Sequence, residues 1–393
     1  MFKYINPLLV LSFWFFTPSL FVFFGLADSF APGVGFVVLF LSVLILIFNF
    51  DLIRVTVNDI IFYLFVFFLV FLHLTVLAFD STLYWKGVFS LVFFVYLLVF
   101  SKVIKNIIDK IDDKKFHRLF ICFFVVLCLV GILPLVGLRV VSSFSSYKSV
   151  FPFLEPSHYA LTFTPFLVYA VASAGKWQRM LIFFFALLLA LALENLTLMV
   201  VVFILAVVFF MNYKIIFFVP VALGIFFYFD LSYFTDRLNF SDTSNLSALV
   251  YIQGWEFMSN SFLQKYGMGV AFQQLGSTDL FSSAADKIYE ILGFNMNLND
   301  GGFTAAKIFS EFGIFSIFIF YPLVKLIGKS YFSLRKFSFT NNFYNCKYIA
   351  AQSFLIGSLV ELLVRGIGYF TPTLIAVLIS ILFVKEKDKS IGK

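Results

Sequence analysis

Long apolar segments recur along almost the whole chain, and they constrain its fold more than any other feature. A membrane-spanning helix needs about 20 consecutive apolar residues, and segments of roughly this kind follow one another from the first residues to the last. The chain is 62% hydrophobic and only 12% charged, whereas soluble domains carry about 25% charged residues. The sequence therefore predicts an all-α, polytopic membrane protein that forms a single integral domain over residues 1–393.

About twelve spans are predicted, at 8–27, 33–50, 59–79, 83–101, 118–138, 158–174, 180–193, 196–211, 214–230, 303–328, 348–365 and 371–384. The apolar run 180–211 is too long for one crossing, so we divide it at Glu194-Asn195. Basic residues concentrate on the cytoplasmic side of membrane proteins. With the N-terminus inside, most of the 28 lysines and arginines fall on that side. Both termini are therefore predicted to be cytoplasmic.

Two outer loops are longer than the rest, at 139–157 and 231–302. Loops as long as the second are seldom structureless, and two helical patterns are visible in it. One begins near Leu246 and is capped by Ser244 or Asn245, and the other ends at Gly293. Both helices are expected to lie on the membrane surface.

The few ionisable residues near the outer ends of the spans are the candidates for a site, because charge within a membrane is costly and usually functional. Three arginines from distant parts of the chain are predicted at this face: Arg139, Arg237 and Arg365. A guanidinium group forks onto phosphate oxygens, and helix N-termini at the same face favour anions. The sequence thus predicts a pocket for a polyanion, for which a lipid-linked pyrophosphate is the natural candidate.

Other polar residues accompany the arginines. The candidates for a catalytic base or its orienting partner are Glu155, His158 and Asp300. Further contacts to the substrate are predicted for Glu194, Asn245, Gln253, Trp255 and Tyr369. We recognise no P-loop and no metal-ligand cluster, so no metal, no other cofactor and no nucleic-acid partner is predicted.

Simpler structural interpretations of these residues stay open. In one such interpretation, Glu155 and Asp300 do no more than cap helices. In another, Arg237 does no more than pair with a neighbouring aspartate in its loop. Glu361 and Arg365 are four residues apart on a helix and could neutralise each other.

One segment resembles the EPSH segment of bacterial O-antigen polymerases of the Wzy type: Phe153-Leu154-Glu155-Pro156-Ser157-His158-Tyr159-Ala160. The family's long periplasmic loop is similar to the run that contains Arg237, Asn245-Leu246-Ser247, Gly254-Trp255-Glu256 and Gly267-Met268-Gly269. The helix and late outer loop that follow it resemble Gly302-Phe303, Glu311-Phe312-Gly313, Arg365-Gly366 and Tyr369-Phe370.

The resemblance implies a metal-independent, GT-C-like glycosyltransferase that polymerises undecaprenyl-pyrophosphate-linked repeat units at the periplasmic face of the bacterial inner membrane. It implies a lipid-linked glycan donor and acceptor, the membrane lipid and a chain-length regulator (a polysaccharide co-polymerase) as partners. Two alternatives stay open, an O-antigen ligase that transfers glycan to lipid A–core and a lipid-linked oligosaccharide flippase. In the ligases a histidine follows the long loop, where this chain has Asn299-Asp300.

Overall fold

The computed structural model describes residues 7–48, 50–140, 148–210, 232–239, 244–278, 280–336 and 346–391. In these ranges the chain is helical and forms no strand, which confirms the predicted all-α class. The helices are α1 (Pro7–Phe23), α2 (Phe30–Phe48), α3 (Val57–Ala78), α4 (Tyr84–Asp109), α5 (Asp113–Ile132), α6 (Pro156–Ser173), α7 (Lys176–Ala192), α8 (Leu196–Leu205), α9 (Ser232–Arg237), α10 (Leu246–Gln264), α11 (Ser283–Leu292), α12 (Thr304–Phe312), α13 (Ile317–Lys336), α14 (Cys346–Leu363) and α15 (Pro372–Ile391).

Six helical segments of the described chain are long and apolar enough to cross a membrane: Phe30–Phe48, Val57–Ala78, Tyr84–Asp109, Asp113–Val136, Thr304–Lys336 and Cys346–Leu363. This is the architecture of a helical membrane protein. Five of the six other predicted spans also coincide with helices, which do not belong to these six segments: α1, α6, α7, α8 and α15. The sixth, at 214–230, lies outside the described residues.

The centre of the bundle is formed by α6 and α14. The two helices pack against each other, and α14 also packs against α15 while α6 packs against α5 and α8. Every residue of α6 from His158 to Ser173 is buried, as expected for a helix that is apolar on all sides. Because α6 begins where α14 ends, the loops at that end of the bundle lie over its centre. We call this end the site face.

The predicted division of the run 180–211 is confirmed, since α7 ends at Ala192 and α8 begins at Leu196. Glu194 at the junction adopts a left-handed backbone with φ of 48°. The Asn195 side chain accepts a hydrogen bond from the backbone N–H of Leu198 at 3.1 Å and donates one to the carbonyl of Pro156 at 2.7 Å. Asn195 therefore caps α8 and fixes the junction against the start of α6.

The predicted single helix over 303–328 is interrupted. It consists of α12, a 3₁₀ turn over Gly313–Ser316, and α13. Gly313 has φ of 52°, and a Cβ atom there would collide with the backbone of Gly267 in the long loop. The Ile314 N–H donates to the Gly267 carbonyl at 2.8 Å. The long loop thus packs directly into the break between the two helices.

Both helices predicted in the long loop are present. Asn245 caps α10 by accepting from the Ala248 N–H at 3.3 Å, and α11 ends at Gly293 with φ of 74°. Glu256, on α10, accepts hydrogen bonds at the N-terminus of α11 from Ser282, Ser283 and the Ala284 N–H. The carboxylate therefore fixes α11 against α10.

Basic residues gather at the opposite end of the bundle. There, Lys102 and Lys105 at the end of α4 pair with Glu386 near the end of α15. At the start of α14, Lys347 pairs with Asp113 at 3.4 Å. These lysines are among those that the sequence predicts on the cytoplasmic side.

Candidate functional site

An ion pair between Glu155 and Arg365 lies at the centre of the site face. The Nη2 atom of Arg365 is 3.1 Å from Oε2 of Glu155, and the Ser157 hydroxyl donates to the same oxygen at 2.8 Å. Glu155 occupies the N-cap position of α6, where Pro156 is the first helical residue as predicted, but its side chain makes no capping bond. The interpretation of Glu155 as only a cap is therefore wrong.

Arg365 is not neutralised by Glu361. The Glu361 carboxylate accepts hydrogen bonds from the hydroxyls of Thr371 at 2.6 Å and Thr373 at 2.5 Å. Thr371 also caps α15, since its hydroxyl accepts from the Leu374 N–H at 3.1 Å. Because the start of α15 provides the hydrogen bonds to Glu361, Arg365 pairs instead with Glu155, which lies 210 residues earlier in the chain.

Arg237 provides a second positive charge near Glu155. Its Nη1 atom donates to the Ser247 hydroxyl, and its guanidinium lies 5.1 Å from the centre of the Tyr233 ring. The Asn245 side chain donates to the carbonyl of Asp236 at 2.6 Å. Asn245 thus holds the end of α9, which carries Arg237, against the start of α10, and its predicted contact with substrate stays a prediction.

The surrounding charges act on the ionisation of Glu155. Burial alone would raise the pKa of its carboxyl group. Positive charge on His158, Arg365 and Arg237 outweighs the effect of burial, and Ser157 adds a hydrogen bond. Together they lower the pKa of Glu155 to about 2. Glu155 is therefore a carboxylate at every physiological pH.

His158 lies one turn into α6 and is 7% exposed. Its ring meets the Phe30 ring edge to face with the centroids 5.2 Å apart. The Nδ1 atom is buried and has no hydrogen-bond partner among the residues that the structure describes. An unpaired buried polar atom is costly, so this nitrogen is a candidate contact for a substrate hydroxyl.

Asp300 does not cap the following helix, contrary to one of the two interpretations. The helix begins at Thr304, and Phe303 occupies its N-cap position without a side-chain capping bond. Gly301 and Gly302, with φ of 62° and 74°, turn the chain between Asp300 and the helix. The Asp300 carboxylate instead lies 3.9 Å from the Lys307 ammonium group.

Two charged residues to which no role was assigned from the sequence are buried beside Asp300. Lys307 is 2% exposed and Glu311 fully buried, and Lys307 Nζ is 3.4 Å from Glu311 Oε1. Tyr369 donates to Glu311 Oε2 at 2.8 Å, and burial raises the pKa of this tyrosine. The signal in the sequence is an oppositely charged pair, four residues apart, within a predicted span.

Arg139 and Glu194 also lie at the site face. The Arg139 side chain is exposed and donates from Nε to the Pro134 carbonyl at 3.3 Å. Glu194 pairs with Lys148, and both side chains are about half exposed. The Lys148 ammonium group lies 4.4 Å from the centre of the Tyr233 ring, which also contacts the Arg237 guanidinium group. The predicted contacts of Arg139 and Glu194 with substrate stay predictions.

Gln253 and Trp255 differ in their surroundings. Gln253 is fully buried in α10, and within the described part of the chain neither of its amide atoms has a hydrogen-bond partner. Trp255 is 47% exposed and packs against the Phe303 ring at 5.3 Å between centroids. Phe303 precedes Thr304, whose backbone touches Gly366 next to Arg365. Trp255 is therefore placed at the outer margin of the site.

In the ranges that the structure describes, no group of three or more histidine, cysteine, aspartate or glutamate residues is arranged to hold a metal ion. No family model, no curated protein and no solved structure matches the chain. Function therefore has to be inferred from the residues and the geometry of the site face.

Proposed function

We propose that the chain is an O-antigen polymerase, a metal-independent GT-C-like glycosyltransferase with about twelve spans in the bacterial inner membrane. It would act on undecaprenyl-pyrophosphate-linked repeat units at the periplasmic face. The observation that supports this most is the pairing of Arg365 with Glu155, with Arg237 beside them. These groups come from three distant parts of the chain and meet at one end of an apolar bundle.

In the proposed reaction, a hydroxyl oxygen of the acceptor sugar forms a bond to the anomeric carbon of the donor glycan. The bond from that carbon to the pyrophosphate oxygen breaks, and the polyprenyl pyrophosphate leaves with the electron pair. The hydroxyl proton passes to a carboxylate of the protein. Arg365 and Arg237 would stabilise the negative charge on the leaving group, since fixed donors in a site of low dielectric do this well.

Asp300 is the better candidate for the base. A general base works best when its pKa lies near the operating pH, and a carboxylate whose pKa is about 2, like that of Glu155, binds a proton only weakly. Glu155 would orient Arg365 instead. Asp300 keeps 35% of its side chain exposed, so it can reach a substrate hydroxyl. His158, with its unpaired Nδ1, would contact the acceptor sugar.

The alternatives are separated by the chemistry they need. A ligase would perform the same displacement with lipid A–core as acceptor. A flippase forms no bond and would be expected to line a central cavity with charge, whereas the charged cluster described here lies at one end of the bundle. The polymerase would also work with a chain-length regulator, which is expected only from the family resemblance.

The test is reconstitution. Purified protein is given undecaprenyl-pyrophosphate-linked repeat unit extracted from the native host in which the gene for this chain is deleted. A ladder of glycan lengths supports the polymerase. Transfer to added lipid A–core alone would identify a ligase. Movement of the lipid across a vesicle membrane without any new glycosidic bond would identify a flippase, and both of these results would overturn the proposal.

A further inference from the structure

The Lys307 ammonium group is surrounded by acceptors of the protein itself. It donates to the Asn299 carbonyl, lies 3.4 Å from Glu311 Oε1 and 3.9 Å from Asp300 Oδ1, and sits 5.1 Å from the centre of the Tyr369 ring. The contact with Asn299 is a hydrogen bond, the contact with Glu311 is an ion pair, and the separation from Asp300 is too long for a direct hydrogen bond. Because only 2% of the residue is exposed, groups of the protein itself enclose the ammonium group.

Glu311 is held as firmly as Lys307. It is fully buried, it accepts from the Tyr369 hydroxyl at 2.8 Å, and the backbone N–H of Gln273 also donates to it. The Tyr369 ring stacks on Phe272 with the centroids 5.4 Å apart. These contacts hold the Glu311 carboxylate in place beside the Lys307 ammonium group.

Asp300 is the only member of this charged group with a substantially exposed side chain, at 35%. Its Oδ1 atom faces Lys307, and a Cβ atom on Gly368 would lie 3.0 Å from that same oxygen. One carboxylate oxygen is thus confined between Lys307 and the chain near Gly368. The second oxygen is the one that can meet a ligand.

We propose that Lys307 is a positioning residue, which fixes Asp300 so that its outer oxygen accepts the proton of the acceptor hydroxyl. This inference rests on the proposed function and extends it, because it assigns a role to a residue that touches no substrate. An ion pair that served only the stability of the bundle would not need a partly exposed carboxylate at one end. Buried charges that lose a partner destabilise proteins strongly, so the test has to separate folding from positioning.

The experiment compares four variants with the wild type in the reconstituted polymerisation assay. K307R keeps the positive charge, K307M removes it, and K307M/E311Q removes the buried pair as a unit so that no unpaired charge is left inside. K265A, at an exposed lysine in the long loop, is the matched control. Each variant is also tested for its melting temperature and for saturation with the extracted lipid-linked repeat unit.

We expect kcat to fall at least 100-fold in K307M and in K307M/E311Q, with KM for the lipid-linked repeat unit changed less than threefold. K307R should recover at least tenfold over K307M, and K265A should match the wild type. Wild-type-like kcat in a folded K307M/E311Q would overturn the positioning role. A tenfold higher KM in K307M would overturn it too, because it would identify Lys307 as a substrate ligand. Inactive wild type would instead overturn the proposed function.

Discussion

Glu155 and Arg365 are 210 residues apart in the chain, and their side chains meet at 3.1 Å. The carboxylate comes from the position before α6, and the guanidinium comes from the residues after α14. These are the two central helices of the bundle. The ion pair therefore shows that the start of α6 lies beside the end of α14. The same pair fixes the Arg365 guanidinium group and its carboxylate partner at the site face.

If the chain is the proposed polymerase, removing Arg365 should strongly slow glycan transfer. We expect R365A to lower the rate by roughly 10²- to 10³-fold, the usual loss when one preorganised donor to a developing negative charge is removed. The measurement is ladder formation by purified protein, with equal expression checked in membranes. If R365A makes polymer of normal length at the normal rate, the guanidinium is not part of the reaction.

The three arginines should not be equivalent. Arg365 and Arg237 both act on Glu155, whereas Arg139 is exposed and donates to the Pro134 carbonyl. We therefore expect R139A to reduce the rate less than R237A, and R237A to approach R365A. Rates of the three variants measured side by side, at saturating lipid-linked substrate, decide this. An R139A variant as inactive as R365A would contradict the ranking.

The low pKa of Glu155 makes its contribution to stability depend on pH. A carboxyl group whose pKa is about 2 in the folded protein and about 4.3 in the unfolded chain stabilises the fold above the unfolded value. This stabilisation is lost as the pH falls through the interval between the two values. E155Q should therefore melt below the wild type at pH 7, and the two should converge toward pH 2.

Thermal melting of the purified protein, followed at several pH values between 7 and 2, measures the effect. The control is E290Q, because Glu290 is exposed on α11 and its substitution should leave the melting temperature unchanged at each pH. A constant difference between E155Q and the wild type across the whole range would show that ionisation of Glu155 is not its source.

Gly366 should tolerate no side chain. A Cβ atom there would collide with the backbone N and the hydroxyl of Thr304. Overpacking of this kind typically costs about 1 to 3 kcal/mol, so G366A should lower the melting temperature. Gly328, within α13, has nothing within 4 Å of such an atom, and G328A should be neutral or up to about 1 kcal/mol more stable. Equal melting temperatures for the two variants would contradict the close approach.

Asn195 should contribute through two separate hydrogen bonds. N195A loses both the cap of α8 and the donor to Pro156, and loss of a cap alone typically costs about 1 kcal/mol. N195D keeps the capping oxygen but cannot donate, and it buries a carboxylate beside the Pro156 carbonyl. We expect both variants to melt below the wild type. A melting temperature of N195A equal to that of the wild type would contradict the contribution of the two bonds.

Local features of the fold were predictable because they depend on neighbouring residues. The polar pair at Glu194-Asn195 within an apolar run marks a helix junction, and Gly293 ends α11 because glycine adopts a left-handed backbone easily. The break at Gly313 was not predictable in the same way. It depends on the approach of Gly267 from the long loop, and the sequence on either side reads as one continuous helix.

The site was predictable in its residue types more than in its contacts. Charged residues near the ends of apolar helices indicated where to look, and Glu155, Arg237 and Arg365 do act on one another. Only the capping alternative for Asp300 was wrong, because Phe303 and not Asp300 stands before the first residue of the helix. Asn245 was predicted as a cap, whereas its second hydrogen bond, which holds α9 against α10, was not predicted. No role was predicted for Lys307, since its partners come from both the helix and the preceding loop.

The hydrogen bonds that join the long loop to the bundle restrict how this loop can move. Besides the bond at Gly267, the N–H groups of Val270 and Ala271 donate to the carbonyls of Ser310 and Glu311 at 2.9 Å, and His73 bonds to the Met268 carbonyl at 3.0 Å. This part of the loop therefore cannot swing outward like a hinged cover.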